Sequence, residues 1–160
     1  MTVDKIALNR GFTLAVGSDH AGRELSLNLV ERLRAVGNNG HQCTLFVPPV
    51  GESWDYPEPA QAVAKLVASQ AVDRGLVICG TGIGVSIAAN RFHDIRCALV
   101  HSVETAVLSR QHNDANVLAL GARLIDSDLA WQIVHTWLRT PFTHGRHTAR
   151  INKIETANGK

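Results

Sequence analysis

Leu76-Val77-Ile78-Cys79-Gly80-Thr81-Gly82-Ile83-Gly84-Val85-Ser86-Ile87-Ala88-Ala89-Asn90 is the stretch that decides the fold. A short apolar run ends in a thiol, three alternating glycines follow, and a small-residue segment begins. Apolar runs bounded in this way read as a buried strand feeding a helix through a tight turn. Glycines there let the backbone approach a ligand closely, and the helix N-terminus behind them favours negative charge.

The same alternation extends in both directions. Phe12 to Gly17 reads as a first strand, and Leu25, Leu29, Val30, Leu33 and Val36 recur with helical spacing until Gly37-Asn38-Asn39-Gly40 stops them. Residues 42–47 form a second, weaker strand. A turn-rich loop over 48–59 carries the only tyrosine, Tyr56, and a helix continues to about Gln70. The third strand, 75–79, leads to a helix over 83–91. Strands at 95–100 and 115–120 follow, each with its helix, at 103–111 and from Asp126 or Ser127 to Leu138. A final helix is expected over 147–157. Five repeats of strand and helix predict one Rossmann-like α/β domain over 1–160, with residues 1–11 as an N-terminal extension. Its five-stranded parallel sheet should carry helices on both faces.

Ligands of such sheets bind outside the carboxyl ends of the strands. The loops placed there are Gly17-Ser18-Asp19-His20, Cys79-Gly80-Thr81-Gly82 and His101-Ser102. His112-Asn113-Asp114 falls at the far end of a helix, with no obvious route to that edge.

Composition narrows the function classes. The 160 residues are 45% hydrophobic and 19% charged, as in an ordinary globular protein. A net charge of +2 with no basic run gives no footprint for nucleic acid. The local concentration His144-Gly145-Arg146-His147-Thr148-Ala149-Arg150 suits a small anion. Three cysteines without a CxxC pair argue against a disulfide framework and fit a reducing compartment. With no signal peptide or transmembrane-length apolar run, a cytoplasmic location is expected.

The glycine loop fails the dinucleotide fingerprint, because Val85 stands where the third glycine belongs. It also fails as a Walker A loop, lacking Gly-Lys-Ser/Thr. Cys79 ends its strand at the ligand edge, where a helix N-terminus would stabilise a thiolate usable as base or nucleophile. Cys43 and Cys97 lie inside apolar strands and read as core. Asp19-His20 can hold sugar hydroxyls, a ring oxygen or a phosphate, although Asp19 could equally cap the following helix. His112 suits proton transfer near neutral pH or a helix C-cap. Arg146 and Arg150 share a helix face, as a phosphate or carboxylate clamp or as a solvated basic face. His144 and His147 lack the carboxylate or thiol that would complete a metal set, and no metal site is expected.

Several segments together resemble the ribose-5-phosphate isomerase B family, which includes galactose-6-phosphate and allose-6-phosphate isomerases. They are Gly17 to Gly22, Asp55-Tyr56-Pro57, Ile78 to Gly84 through Ala88-Ala89-Asn90, Leu108 to Leu118, Gly121-Ala122-Arg123, and Gly145-Arg146-His147 with Arg150. The resemblance implies that Cys79 abstracts the proton and His112 helps to open the sugar ring, with Thr81 as a third catalytic residue. Gly80, Gly82, Ile83 and Gly84 would form the anion hole for an enediolate. Asp19, His20, Tyr56, Asn113, Arg123, Arg146 and Arg150 would contact sugar or phosphate. It implies no cofactor and a homodimer or tetramer of dimers with shared sites, the C-terminal helix packing on a partner subunit. One branch of the family uses a glutamate after the glycines; here Val85 and Ser86 follow, which points to the thiol branch.

The expected reaction is aldose–ketose isomerisation, with ribose 5-phosphate and ribulose 5-phosphate first. Residues 38–53 and Pro59 depart from the family pattern, so a tetrose 4-phosphate, allose 6-phosphate or galactose 6-phosphate remains open. From another class, a non-catalytic sugar-phosphate- or nucleotide-binding domain remains open as well.

Overall fold

The computed structural model describes residues 11–36 and 40–156. The extension expected before Gly11 and most of the Gly37–Gly40 stop lie outside the described residues. The strands are β1 (Thr13–Ser18), β2 (Gln42–Phe46), β3 (Arg74–Cys79), β4 (Cys97–Leu99) and β5 (Val117–Gly121). The helices are α1 (Arg23–Arg34), α2 (Pro57–Ala68), α3 (Ile83–Ala89), α4 (Val103–Asn113), α5 (Ser127–Arg139) and α6 (Arg146–Thr156).

All neighbouring strands pair in parallel, in the order β2-β1-β3-β5-β4. The register sets Ser18 beside Ile78 and Cys79 beside Gly121, so these strands finish at one edge. Apolar side chains cover both faces. Leu25, Leu29 and Leu33 of α1 and Ile133, Val134 and Trp137 of α5 pack with Leu14, Val16 and Ile78. Val63 and Val67 of α2 and Val85 and Ala89 of α3 pack with Ala15, Val77 and Cys79 on the other side. The helix after β1 and the helix after β3 therefore leave to opposite faces. Neighbouring strands that diverge in this way open a crevice at their carboxyl ends, and Asp19 and Cys79 stand on its two sides.

The fourth strand is shorter than the expected 95–100. The Arg96 N–H donates to Asn116 Oδ1 at 2.9 Å, while the Asn90 side chain takes both the N–H and the carbonyl of Cys97. A side-chain amide thus covers an edge that another strand would otherwise pair with. Helix α4 runs two residues beyond the expected Gln111, because Asp114 adopts the left-handed C-cap conformation at φ 45°. Helix α6 starts one residue early and lies against α4 of its own chain, where His147 stacks on His112 at 4.4 Å. Among the described residues no helix is long and apolar enough to cross a membrane.

Candidate active site

The thiol edge is built mainly from backbone. Gly82, at φ 77°, turns the chain so that its N–H donates to Cys79 Sγ at 3.1 Å. Cys79 is 5% exposed. Thr81 Oγ1 accepts the Ile83 N–H at 3.3 Å. Helix α3 opens at Ile83, so the N–H groups of Gly84 and Val85 have no intrahelical carbonyl. These groups point out of the helix start, as an oxyanion needs.

Close approaches explain the glycines. A Cβ on Gly84 would lie 2.7 Å from Tyr56 Cε2, so glycine lets the tyrosine ring lie against the loop. A Cβ on Gly80 would lie 3.1 Å from Arg123 Nη1, and the Arg123 N–H donates to the Gly80 carbonyl at 3.0 Å. On the other side of the crevice, Asp19 is 8% exposed and its Oδ1 accepts the Gly22 N–H at 2.9 Å. That bond closes the turn ahead of α1, whose N-cap is Gly22 with no side-chain cap bond, so Asp19 is not the helix cap. His20 is exposed, and its Nδ1 lies 3.1 Å from Ser53 Oγ. Asp19, Tyr56, residues 79–84 and Arg123 thus gather at the strand ends.

The structure does not bring His112, Asn113, Arg146 and Arg150 to that edge within the chain. Helix α4 starts beside the end of β4 and finishes where β5 begins. His112 therefore sits at the opposite edge, roughly the 13 Å length of β5 away. Its ring stacks on His147 with 9° between the planes. Burial lowers the His147 pKa below the ordinary histidine value, with smaller contributions from His112, Arg146 and Arg150.

A knot of charge supports this second group. Arg110 is 1% exposed and donates from Nη1 to the Ala115 carbonyl at 2.8 Å, with Asp114 Oδ1 at 2.7 Å. Arg96 holds Asp114 from the other side and reaches Glu155 at 2.5 Å. Glu155 also approaches His93 and Asp94, but it is already held by Arg96, and Asp94 by His93 at 2.7 Å. Reading the sequence for ligand loops missed Arg96, Asp114 and Glu155. The available signal was a charged residue, Arg96, inside an otherwise apolar strand.

Burial raises the other two thiols, Cys43 to about 11 and Cys97 further still, consistent with core positions. Volume does not single out the thiol edge. A cleft of about 520 Å³ opens at the opposite edge, lined by Asp73, Arg74, Arg96 and Asp114 among others. Each of those four charged groups already has a partner within the chain, so the cleft offers a ligand no uncommitted charge among them.

A parallel sheet with a thiol, a glycine loop and an acidic residue at its crevice suits a small polar ligand. The chain belongs to the Ribose/Galactose Isomerase family, which it matches over residues 14–154. It is 43% identical over 145 residues to ribose-5-phosphate isomerase B of Escherichia coli, covering 88% of this chain and 93% of that one. The solved ribose-5-phosphate isomerase B of Clostridium thermocellum is 44% identical, with a TM-score of 0.87 over 91% of this chain and 97% of its own. The type B ribose 5-phosphate isomerase of Trypanosoma brucei is 41% identical, with a TM-score of 0.86 over 91% and 97%. The chain is accordingly an aldose–ketose sugar-phosphate isomerase.

Proposed function

We propose that this isomerase interconverts ribose 5-phosphate and ribulose 5-phosphate, with Cys79 as the base. The thiolate takes the proton from C2 of the open-chain aldose and a proton returns to C1, while the two oxygens exchange theirs through an enediolate. The observation that carries this reading is the Gly82 N–H on Cys79 Sγ beside the open N–H groups of Gly84 and Val85. The first holds the sulfur against the loop, and the second can hold the enediolate oxygens. Asp19, His20, Tyr56 and Arg123 surround the sugar. His112 protonates the ring oxygen, and Asn113, Arg146 and Arg150 hold sugar and phosphate.

The site is composite in this reading. Because His112 and Cys79 occupy opposite edges of one chain, a second copy supplies the histidine and the arginine pair. Exposed Ile83, Ile87, Leu99 and Leu108 around α3, β4 and α4 fit such an apolar contact. The isomerisation runs in the cytoplasm without a cofactor.

The test is a screen over ribose 5-phosphate, erythrose 4-phosphate, allose 6-phosphate and galactose 6-phosphate in deuterated water. Ribose 5-phosphate should give the highest kcat/KM, with solvent deuterium appearing at C2 of ribose 5-phosphate or C1 of ribulose 5-phosphate. A hexose 6-phosphate turned over faster would move the substrate assignment and leave the chemistry standing. Transfer with no solvent exchange in any substrate would argue against a thiol base.

A further inference from the structure

Helix α6 is attached to its own chain by one narrow stripe. His147 and Ile151 are buried and Glu155 is half-buried, at i, i+4 and i+8; every other position from 146 to 156 is exposed. An 11-residue helix is marginal on its own, so docking is what keeps it formed. Of the three anchors, Glu155 is the one that is charged, and its partner is Arg96 at 2.5 Å. The two side chains are 16% and 21% exposed, so solvent screens this pair less than an ordinary surface pair.

The rest of the Arg96 guanidinium is committed to the end of α4. Nε donates to the carbonyls of Asn113 and Asp114 at 3.0 and 3.1 Å, and Nη2 to the Asp114 carbonyl and carboxylate at 3.0 and 3.2 Å. One planar group therefore ties the helix end bearing His112 and Asn113 to the helix bearing Arg146 and Arg150. Arginine is suited to this, since its fork of five donors has fixed geometry. The stack of His147 on His112 fixes the first turn of α6, and the Arg96–Glu155 pair fixes the last. Two fixed points set the direction of the helix axis, and with it where Arg146 and Arg150 project between them.

We propose that Arg96 and Glu155 are positioning residues that hold the Arg146–Arg150 pair in register with His112. This rests on the reading of that arginine pair as the phosphate clamp. Neither residue touches the reacting atoms; they act through α6 and the end of α4.

Glu155→Gln separates the two attachments, because Arg96 keeps its bonds to α4 while α6 loses its ionic anchor. The expected result is a KM for ribose 5-phosphate raised about tenfold, with kcat within about twofold of the parent. The inhibition constant of inorganic phosphate should rise in parallel, and Glu155→Asp should restore part of both. Arg96→Ala should raise KM and also lower kcat, because it frees the helix end that carries His112. The proposal is overturned if Glu155→Gln leaves KM and phosphate inhibition within twofold, or lowers kcat with KM unchanged. Arg146→Ala combined with Arg150→Ala is the control on the underlying reading. If that variant leaves phosphate inhibition unchanged, the clamp assignment fails; if it weakens inhibition while Glu155→Gln does not, the positioning role alone fails.

Discussion

Cys79 ends a strand whose residues from Gly75 onward are buried, whereas His112 stands in the last turn of a helix held at the opposite edge by Arg96, Asp114 and Arg110. The thiol edge takes its shape from steric contact. Gly82 sits against Leu99 and Leu120, Gly121 against the Thr81 carbonyl, and Gly84 against Tyr56, each too closely for a Cβ. The His112 corner takes its shape from the charged side chains of Arg96, Arg110, Asp114 and Glu155, and from α6, which is mostly exposed. Packing of the first kind moves little, because interiors are close-packed. A corner of the second kind can be retuned by single charge changes. In the proposed mechanism the edge does the chemistry, and the corner opens the ring and grips the phosphate.

The largest effect should follow from the edge. Cys79→Ala removes the proposed base and should lower kcat by roughly 10²–10⁴, the usual contribution of a positioned proton acceptor. Fold stability should change by about 1 kcal/mol or less, and sugar-phosphate binding, read by calorimetry, should survive. Retention of more than a tenth of the parent rate would place the base elsewhere.

The separation of the two regions can be tested directly. His112→Ala should be nearly inactive alone, and so should Cys79→Ala. Unfolding and refolding the two variants together should restore about a quarter of the parent activity, since half of the random dimers carry one intact site out of two. If the mixture stays as inactive as its components, the site is not shared between copies.

Glycine replacements contrast the regions in stability. Gly82→Ala would force φ 77° on an L-residue and set a Cβ 2.5 Å from Leu99 Cδ1. The strain and the overpacking together should cost about 3 kcal/mol in a urea titration. Gly145, just before α6, has φ 60° but nothing within 4 Å of an added Cβ. Gly145→Ala should therefore cost about 1 kcal/mol, the backbone strain alone. Equal costs would mean that the loop behind Cys79 relaxes more readily than its contacts indicate.

The two regions were also unequally legible in the sequence. Short apolar runs and helical spacing identify all five strands and the helices after them, because the central strands are buried on both faces and the helices on one. The glycine loop was readable for the same reason. Strand order was not, since whether β5 lies inside or outside β4 depends on contacts far apart in the chain. The shortening of β4 was hidden because Asn90 and Asn116 use side chains where a neighbouring strand would use backbone. Asp19 could be read as ligand contact or cap, and the structure gives the cap position to Gly22 and uses Asp19 to close the turn before it. Of the corner, Arg146 and Arg150 stand out by their four-residue spacing and His112 as a proton carrier, and the family resemblance is what assigns them roles. Arg96, Asp114 and Glu155 escaped because an ion pair joining residues 59 apart leaves no local pattern.

The smallest effect concerns pH and separates the regions by charge. His147 has its pKa lowered by burial first and by the neighbouring cations second. The folded chain therefore binds this proton less readily than the unfolded chain, whose histidine titrates near 6.5. Stability from this group is fully present above that value and declines as the pH falls below it, because protons then favour the unfolded state. His41 acts in the same direction: burial lowers its pKa, and its Nδ1 accepts the Phe12 N–H at 2.9 Å, a bond available to the neutral ring. Urea midpoints at about pH 5.5 and about pH 7.5 should therefore differ in the parent protein. The difference should shrink in His147→Phe, which keeps a flat ring on His112 without a proton to gain, and part of it should remain because His41 is intact. An unchanged difference in His147→Phe would show that α6 leaves its stripe before His147 titrates, making the corner looser than the bonds of Arg96 imply.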